Sequence, residues 1–363
     1  MKKLLPAAVC AALAGVNGAQ ALHVNPDGKG QVLLYPFYTT ENFQDTYINL
    51  VNTTTETKAV KIRVLESMNS REVLDFNLYL SPRDHWSAVI TGADVGGATI
   101  MSADTSCTVP LAVSEGATIP FRTFEFTQDS VNGVERTQEG YVEVIEMGTV
   151  VDASLRAAIE HVDGVPGNCG FLDTQWRAGG LWLGDPDFGM SAPTGGLYGY
   201  GVLIDVPRGT DATYDAVAID NWFDSILAVS AHTAPGSTSP SLGSDATSAY
   251  DVFDEGGVVS GIADDGWDAV SAVLMQATLS NDFVLEPDLD AGTDWVVTFP
   301  TKREYVNTGT LPPIAPFTSV WNPATSAACE TFNVLYWDRE EGRPINPIDP
   351  TDFSPLPPPG EIQ

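Results

Sequence analysis

Positive charge is what this sequence has least of. Lys and Arg total 17 against 48 Asp and Glu, a formal charge of −31 at neutral pH. So few cationic side chains cannot form a basic face, which argues against nucleic acid as a partner. An anionic membrane surface would repel the chain. Histidine is scarce as well: His23, His85, His161 and His232 include no pair at zinc-ligand spacing and no His-Glu-x-x-His. There is no Gly-x-Ser-x-Gly elbow and no Walker sequence. Gly199-Tyr-Gly201 lacks the third glycine of a dinucleotide loop. Beyond the N-terminus, no apolar run approaches the roughly 20 residues a membrane helix needs.

The N-terminus itself reads as a secretory leader. Lys2 and Lys3 precede an apolar stretch from Leu4 to Val16, and Ala19-Gln20-Ala21 is a small-x-small cleavage pattern. Cleavage is expected after Ala21. The remaining 342 residues carry a charge of about −33. The expected destination is the extracellular space or cell surface, with the periplasm as the alternative. Cys10 leaves with the leader, so Cys107, Cys169 and Cys329 remain, an odd number. One disulfide is predicted, and Cys107–Cys169 is the favoured pairing. It would stabilise the fold by roughly 2–4 kcal/mol through loop closure. Cys329 is left over. The chain ends in Leu356-Pro-Pro-Pro-Gly-Glu-Ile-Gln363, which reads as a loop entering a strand. The partner of Cys329 is therefore expected past Gln363, with a buried free thiol as the alternative.

The first folded third has the clearest rhythm. Val60, Ile62 and Val64 alternate with Lys61 and Arg63, and Leu74, Phe76, Leu78 and Leu80 alternate with Asp75, Asn77 and Tyr79. With 45–52 and 85–91, these segments predict half-buried antiparallel strands. Strands this short and this closely spaced predict a mainly β protein: an antiparallel β-sandwich with an immunoglobulin-like first unit, inserted short helices and long loops. The expected division is a signal peptide at 1–21 and a first sandwich unit at 22–92, which is allowed to share its sheets with the rest. A β-rich remainder follows at 93–343, then a Pro-rich tail at 344–363. Within the remainder, strands are predicted at 121–127 and 140–151, joined as a hairpin through Asn132-Gly133. A central strand is predicted at 197–206, and further strands at 294–300 and 331–337. Helices are predicted at 154–162, 213–227 and 266–280.

Asp outnumbers Glu 30 to 18, mostly in Gly- and Pro-rich segments. Turn chemistry, adaptation to salt and calcium binding each account for that. The candidate calcium ligands are Asn25 and Asp27, before Gly28, and the ladder Glu286, Asp288, Asp290. The first does not complete an EF-type loop: His23 stands at the first ligand position and Leu34 at the last. Asp185/Asp187 and Asp264/Asp265/Asp268 are carboxylate groupings of the kind used on sugars, though solvated turns place Asp together far more often. Trp176, Trp182, Tyr198, Tyr200 and Trp267 are aromatics suited to stacking on sugars or to core packing. No residue is assigned a catalytic role.

Three segments carry a resemblance: Asn25-Pro-Asp-Gly-Lys-Gly-Gln-Val-Leu-Leu-Tyr-Pro36, Asn69-Ser-Arg-Glu-Val-Leu-Asp-Phe-Asn-Leu-Tyr-Leu80 and Thr293-Asp-Trp-Val-Val-Thr-Phe-Pro-Thr-Lys302. They are similar to a family of uncharacterised exported proteobacterial proteins with no known activity, whose members continue past the point where this chain stops. The resemblance implies export and little else. The leading functional expectation is a non-catalytic surface, matrix or fibre-type protein whose partners are its own copies or cell-surface glycans. A secreted carbohydrate- or ligand-binding module, calcium-dependent, and a secreted hydrolase are the alternatives.

Overall fold

Where apolar and polar side chains alternate and one side must leave water, the chain extends and pairs. The computed structural model describes residues 21–226, 228–254, 256–276, 278–283, 292–306, 315–331 and 333–335. The strands begin with β1 (His23–Val24), β2 (Val32–Thr39), β3 (Gln44–Asn52), β4 (Lys58–Glu66), β5 (Glu72–Leu80) and β6 (His85–Gly92). Next come β7 (Ala98–Met101), β8 (Cys107–Val109), β9 (Ile119–Pro120), β10 (Glu139–Val150), β11 (His161–Val162) and β12 (Val165–Pro166). The series ends with β13 (Met190–Ser191), β14 (Leu197–Asp205), β15 (Thr210–Asp215), β16 (Val217–Asp220), β17 (Ala249–Asp254) and β18 (Gly257–Ile262). The helices are α1 (Ala153–Ile159), α2 (Cys169–Gln175), α3 (Leu181–Gly184), α4 (Gly266–Leu274) and α5 (Lys302–Val306).

The strands form an antiparallel β-sandwich. The larger sheet runs β1-β16-β2-β10-β4-β5-β8, with β13 on the end of β10, and the smaller runs β15-β14-β3-β6-β7-β9. The alternating residues meet in one core. Val60, Ile62, Val64, Phe76, Leu78, Val142 and Val144 come from the larger sheet, and Ile48, Leu50, Trp86, Ala88 and Ile90 from the smaller. Register keeps like with like: Ile62 lies opposite Val144 and Leu50 opposite Trp86. Strands of the first third and of the remainder interleave, since β10 separates β2 from β4 and β14 flanks β3. Both glycines of Gly199-Tyr-Gly201 are packing devices in β14. A Cβ on Gly199 would collide with the Tyr35 hydroxyl, and one on Gly201 with the Tyr214 ring.

The outer face of the larger sheet is covered too, which is why Lys61 and Arg63 are buried although they alternate with core residues. Over one end lie α1, α2 and α3, packed on Tyr79, Val109 and Met147. Over the other lie the segment after β16 and α4, packed on Val32, Leu34 and Ile145 through Trp222, Leu242 and Val270. Cys107 of β8 is joined to Cys169 of α2, the predicted disulfide. Cys329 is a free, exposed thiol.

Four predicted elements differ. Residues 121–127 are no strand: a 3-10 turn spans Phe124–Gln128, so no hairpin joins it to β10. Phe126 is drawn into the core beneath the guanidinium of Arg136, 4.3 Å from its ring, and this folds the segment over the sandwich end. Residues 213–226 are no helix, and 227 lies outside the described residues. Ala216 marks the crossing from β15 in one sheet to β16 in the other, and burial of Ala218 and Ile219 against β1 and β2 overrides helical propensity. Residues 294–300 contain no strand, and 331 and 333–335 likewise; the rest of the last predicted strand lies outside the described residues. Helix α4 is found but ends at Leu274.

Candidate functional site

Asn25 and Asp27 sit in the turn before β2. The Asn25 carboxamide oxygen accepts from the Asp27 N–H at 2.9 Å and its amide donates to the Lys29 carbonyl at 2.7 Å. Gly28 takes a φ of +70°, which the turn requires and glycine supplies. The Asn25 side chain is thus used by the turn. Glu286, Asp288 and Asp290 lie outside the described residues. Among the described residues no three His, Cys, Asp or Glu side chains stand together as a metal site. The other acidic groupings act locally. Asp185 accepts from the Asp187 N–H at 3.2 Å, and Asp265 caps α4 through the Asp268 N–H at 3.0 Å. Asp268 accepts from the Tyr305 hydroxyl at 2.6 Å.

Two arrangements look catalytic by residue type. The first is Ser81, His161 and Asp84. Ser81 Oγ lies 2.5 Å from His161 Nδ1, but Asp84 Oδ2 approaches that same nitrogen, at 3.6 Å. A hydrolytic triad needs serine and acid on opposite ring nitrogens. Ser81 Oγ also accepts from the His161 main-chain N–H and contacts the Ile159 carbonyl. This group ties the β5–β6 corner to the end of α1.

The second lies on the covered face of the larger sheet, in a cleft of about 340 Å³ roofed by Trp267, Pro300 and Arg303. Arg63 of β4 donates through Nε to Glu72 at 2.7 Å and through Nη1 to Glu143 at 2.6 Å. Glu125 accepts from the Glu72 main-chain N–H at 3.2 Å. Two carboxylates share one guanidinium. Burial pushes the Glu72 carboxyl up to about 7 against the pull of Arg63, with Asp75 and Glu125 adding repulsion. Burial likewise raises Glu143, and Arg63 remains protonated.

Aromatic side chains suited to sugars mostly pack instead. Trp176, Trp182 and Tyr79 surround the buried His232. The His232 ring contacts the Pro186 carbonyl through Nδ1 at 2.7 Å and the Tyr79 hydroxyl through Nε2 at 3.0 Å. A carbonyl only accepts, so Nδ1 carries the proton and Nε2 receives the Tyr79 hydroxyl. Burial lowers His232 to about 4. Tyr198 and Tyr200 are half-buried on β14, and Trp267 alone of the five lines the cleft.

A third feature is an edge. The Leu22 N–H donates to the Ala249 carbonyl at 2.9 Å, and Leu22 accepts from the Asp251 N–H at 2.9 Å. Through this single parallel bridge the separate two-stranded sheet of β17 and β18 is tied beside β1. Among the described residues β18 pairs only with β17. It reads Gly-Val-Val-Ser-Gly-Ile, without charge or proline, and Ile262 is 83% exposed. Sequence reasoning missed this hairpin. Its signal was the alternation around Asp254-Glu-Gly-Gly257.

No protein-family model matches the chain, and no curated protein or solved structure matches it either. Among the described residues no helix is long and apolar enough to cross a membrane.

Proposed function

We propose that the chain is an exported, non-catalytic surface, matrix or fibre-type protein that works by assembling through the free edge of its β17–β18 hairpin. The leader supports export, and the Cys107–Cys169 disulfide agrees with an oxidising compartment. The observation that carries the reading is β18. Natural proteins protect free edges with charge, proline, short strands or covering elements. Edge β8 is short and packed by α2, β9 is two residues with Pro120, and β15 carries Asp211 and Asp215. Strand β18 has none of these. Six uncharged residues with exposed β-branched side chains invite strand addition. The test is light scattering and electron microscopy of the mature protein over rising concentration and salt. Self-association that increases with both is expected. A single monomeric species throughout contradicts the proposal.

One observation favours a second reading, a secreted hydrolase or ligand-binding module. Glu72, raised to about 7 in a cleft, has the proton affinity of a general acid. Weighing against it, one Glu72 oxygen is held on Arg63. Polysaccharide turnover or binding abolished by Glu72→Gln would install this reading in place of the first.

A further inference from the structure

We propose that the partner of β18 is β18 of a second copy, paired antiparallel about Ser260; this rests on the assembly reading above and names its contact. Main-chain direction fixes the register. Leu22 engages the Ala249 carbonyl and the Asp251 N–H, so Tyr250, Val252 and Asp254 turn their groups towards β18. Their partners Gly261, Val259 and Gly257 therefore face β17. The Ala263 N–H donates to the Ser248 carbonyl at 2.8 Å, continuing the same alternation. Val258, Ser260 and Ile262 are left with their N–H and C=O groups pointing outward.

Antiparallel pairing centred on Ser260 satisfies all three at once. Val258 meets Ile262 of the second copy, Ser260 meets Ser260, and Ile262 meets Val258. The side chains agree with the main chain. On the hairpin face turned to solvent, Phe253 lies opposite Val258 and Ala249 opposite Ile262, while Tyr250 and Val252 pack inward. Val258 and Phe253 are each 55% exposed. In the pair, Phe253, Val258 and the second copy's Ile262 and Ala249 form one apolar row, repeated by the twofold axis. Between the two rows run Ser260 and Asp251, whose side chains already meet at 2.5 Å.

Charge selects the place. Two chains of −31 repel, and this strand brings no carboxylate of its own to the contact. Among the described residues of the two hairpins, the Asp251 carboxylates are the charges on the joined face, so screening by salt strengthens the pair. A twofold contact closes on itself, so β18 makes dimers, and a longer assembly needs a second contact.

The test uses the mature chain with Cys329→Ser, to remove the exposed thiol, followed by sedimentation velocity from about 0.05 M to about 0.5 M salt. Ser260→Pro removes one outward N–H at an edge position where proline is tolerated, and should weaken the dimer about tenfold or more. Ile262→Lys is the second variant, with unchanged melting as the check on folding. With dissolved oxygen as the oxidant, Ser260→Cys should form an intermolecular disulfide, because paired residues at that position lie about 5.5 Å apart. Val259→Cys, on the opposite face and out of register with itself, should not. A dimer unaffected by Ser260→Pro and Ile262→Lys, with no crosslink at 260, overturns this contact and leaves the assembly reading standing. A chain that stays monomeric at every salt overturns the assembly reading itself.

Discussion

Replacing Glu72 by Gln should change how stability depends on pH, with the sign opposite to ordinary acid denaturation. Folding moves this carboxyl from 4.5 to about 7. The native state therefore holds the proton more tightly than the unfolded chain, by about 3 kcal/mol. That contribution is fully present below pH 4.5 and is lost as pH rises through 7. His232 acts in the other direction. Lowered from 6.5 to about 4, it is neutral in both states above pH 6.5. As pH falls below that value the unfolded chain protonates first, and about 3 kcal/mol is lost by pH 4. Between pH 4.5 and 6.5 the two slopes oppose each other and hide one another in the wild type. Glu72→Gln removes one of them and leaves Glu143 alone on Arg63. The variant should gain about 3 kcal/mol relative to wild type between acid and mildly alkaline pH. Denaturant midpoints across that range, for both proteins, measure it. A difference that stays constant with pH would mean that Glu72 remains an ordinary ionised partner of Arg63, and the buried-cleft reasoning fails.

Three other perturbations follow from single contacts. Arg136→Ala removes the cation paired with the buried Glu66 carboxylate and leaves Asp129 to Arg71 alone, where Arg136 now holds each acid at 2.7 Å, and should cost about 3–5 kcal/mol by denaturant unfolding. Reducing Cys107–Cys169 should lower stability by about 2–4 kcal/mol and loosen α2 from β8, read by proteolysis within 163–180. Asn25→Ala removes the turn bonds to Asp27 and Lys29 and should cost about 1 kcal/mol. That loss should be the same in calcium and in chelator. A larger loss in calcium would show that Asn25 binds metal.

The alternation over 45–91 was legible because period-two burial leaves a period-two pattern, and β3, β4, β5 and β6 stand where it pointed. Its other half misled. Lys61, Arg63 and Asp75 read as a solvated face, yet they lie beneath a second layer. Charges matched across strands and to Glu143 survive burial, and a lone strand cannot reveal such matching. The strand pair at 210–220 was hidden for a related reason. Ala218 and Ile219 suit a helix by composition and become a strand only because β1 and β2 need a neighbour. The cleft could not be read at all, since Glu72, Glu143 and Trp267 come together only when α4 and α5 close over the sheet.

Residue-resolved amide exchange along β18 tests assembly through this edge most directly. On raising concentration and salt, Val258, Ser260 and Ile262 should slow together, while Val259 and Gly261, already bonded to β17, stay as they were. Exchange at all five that is indifferent to concentration would contradict it.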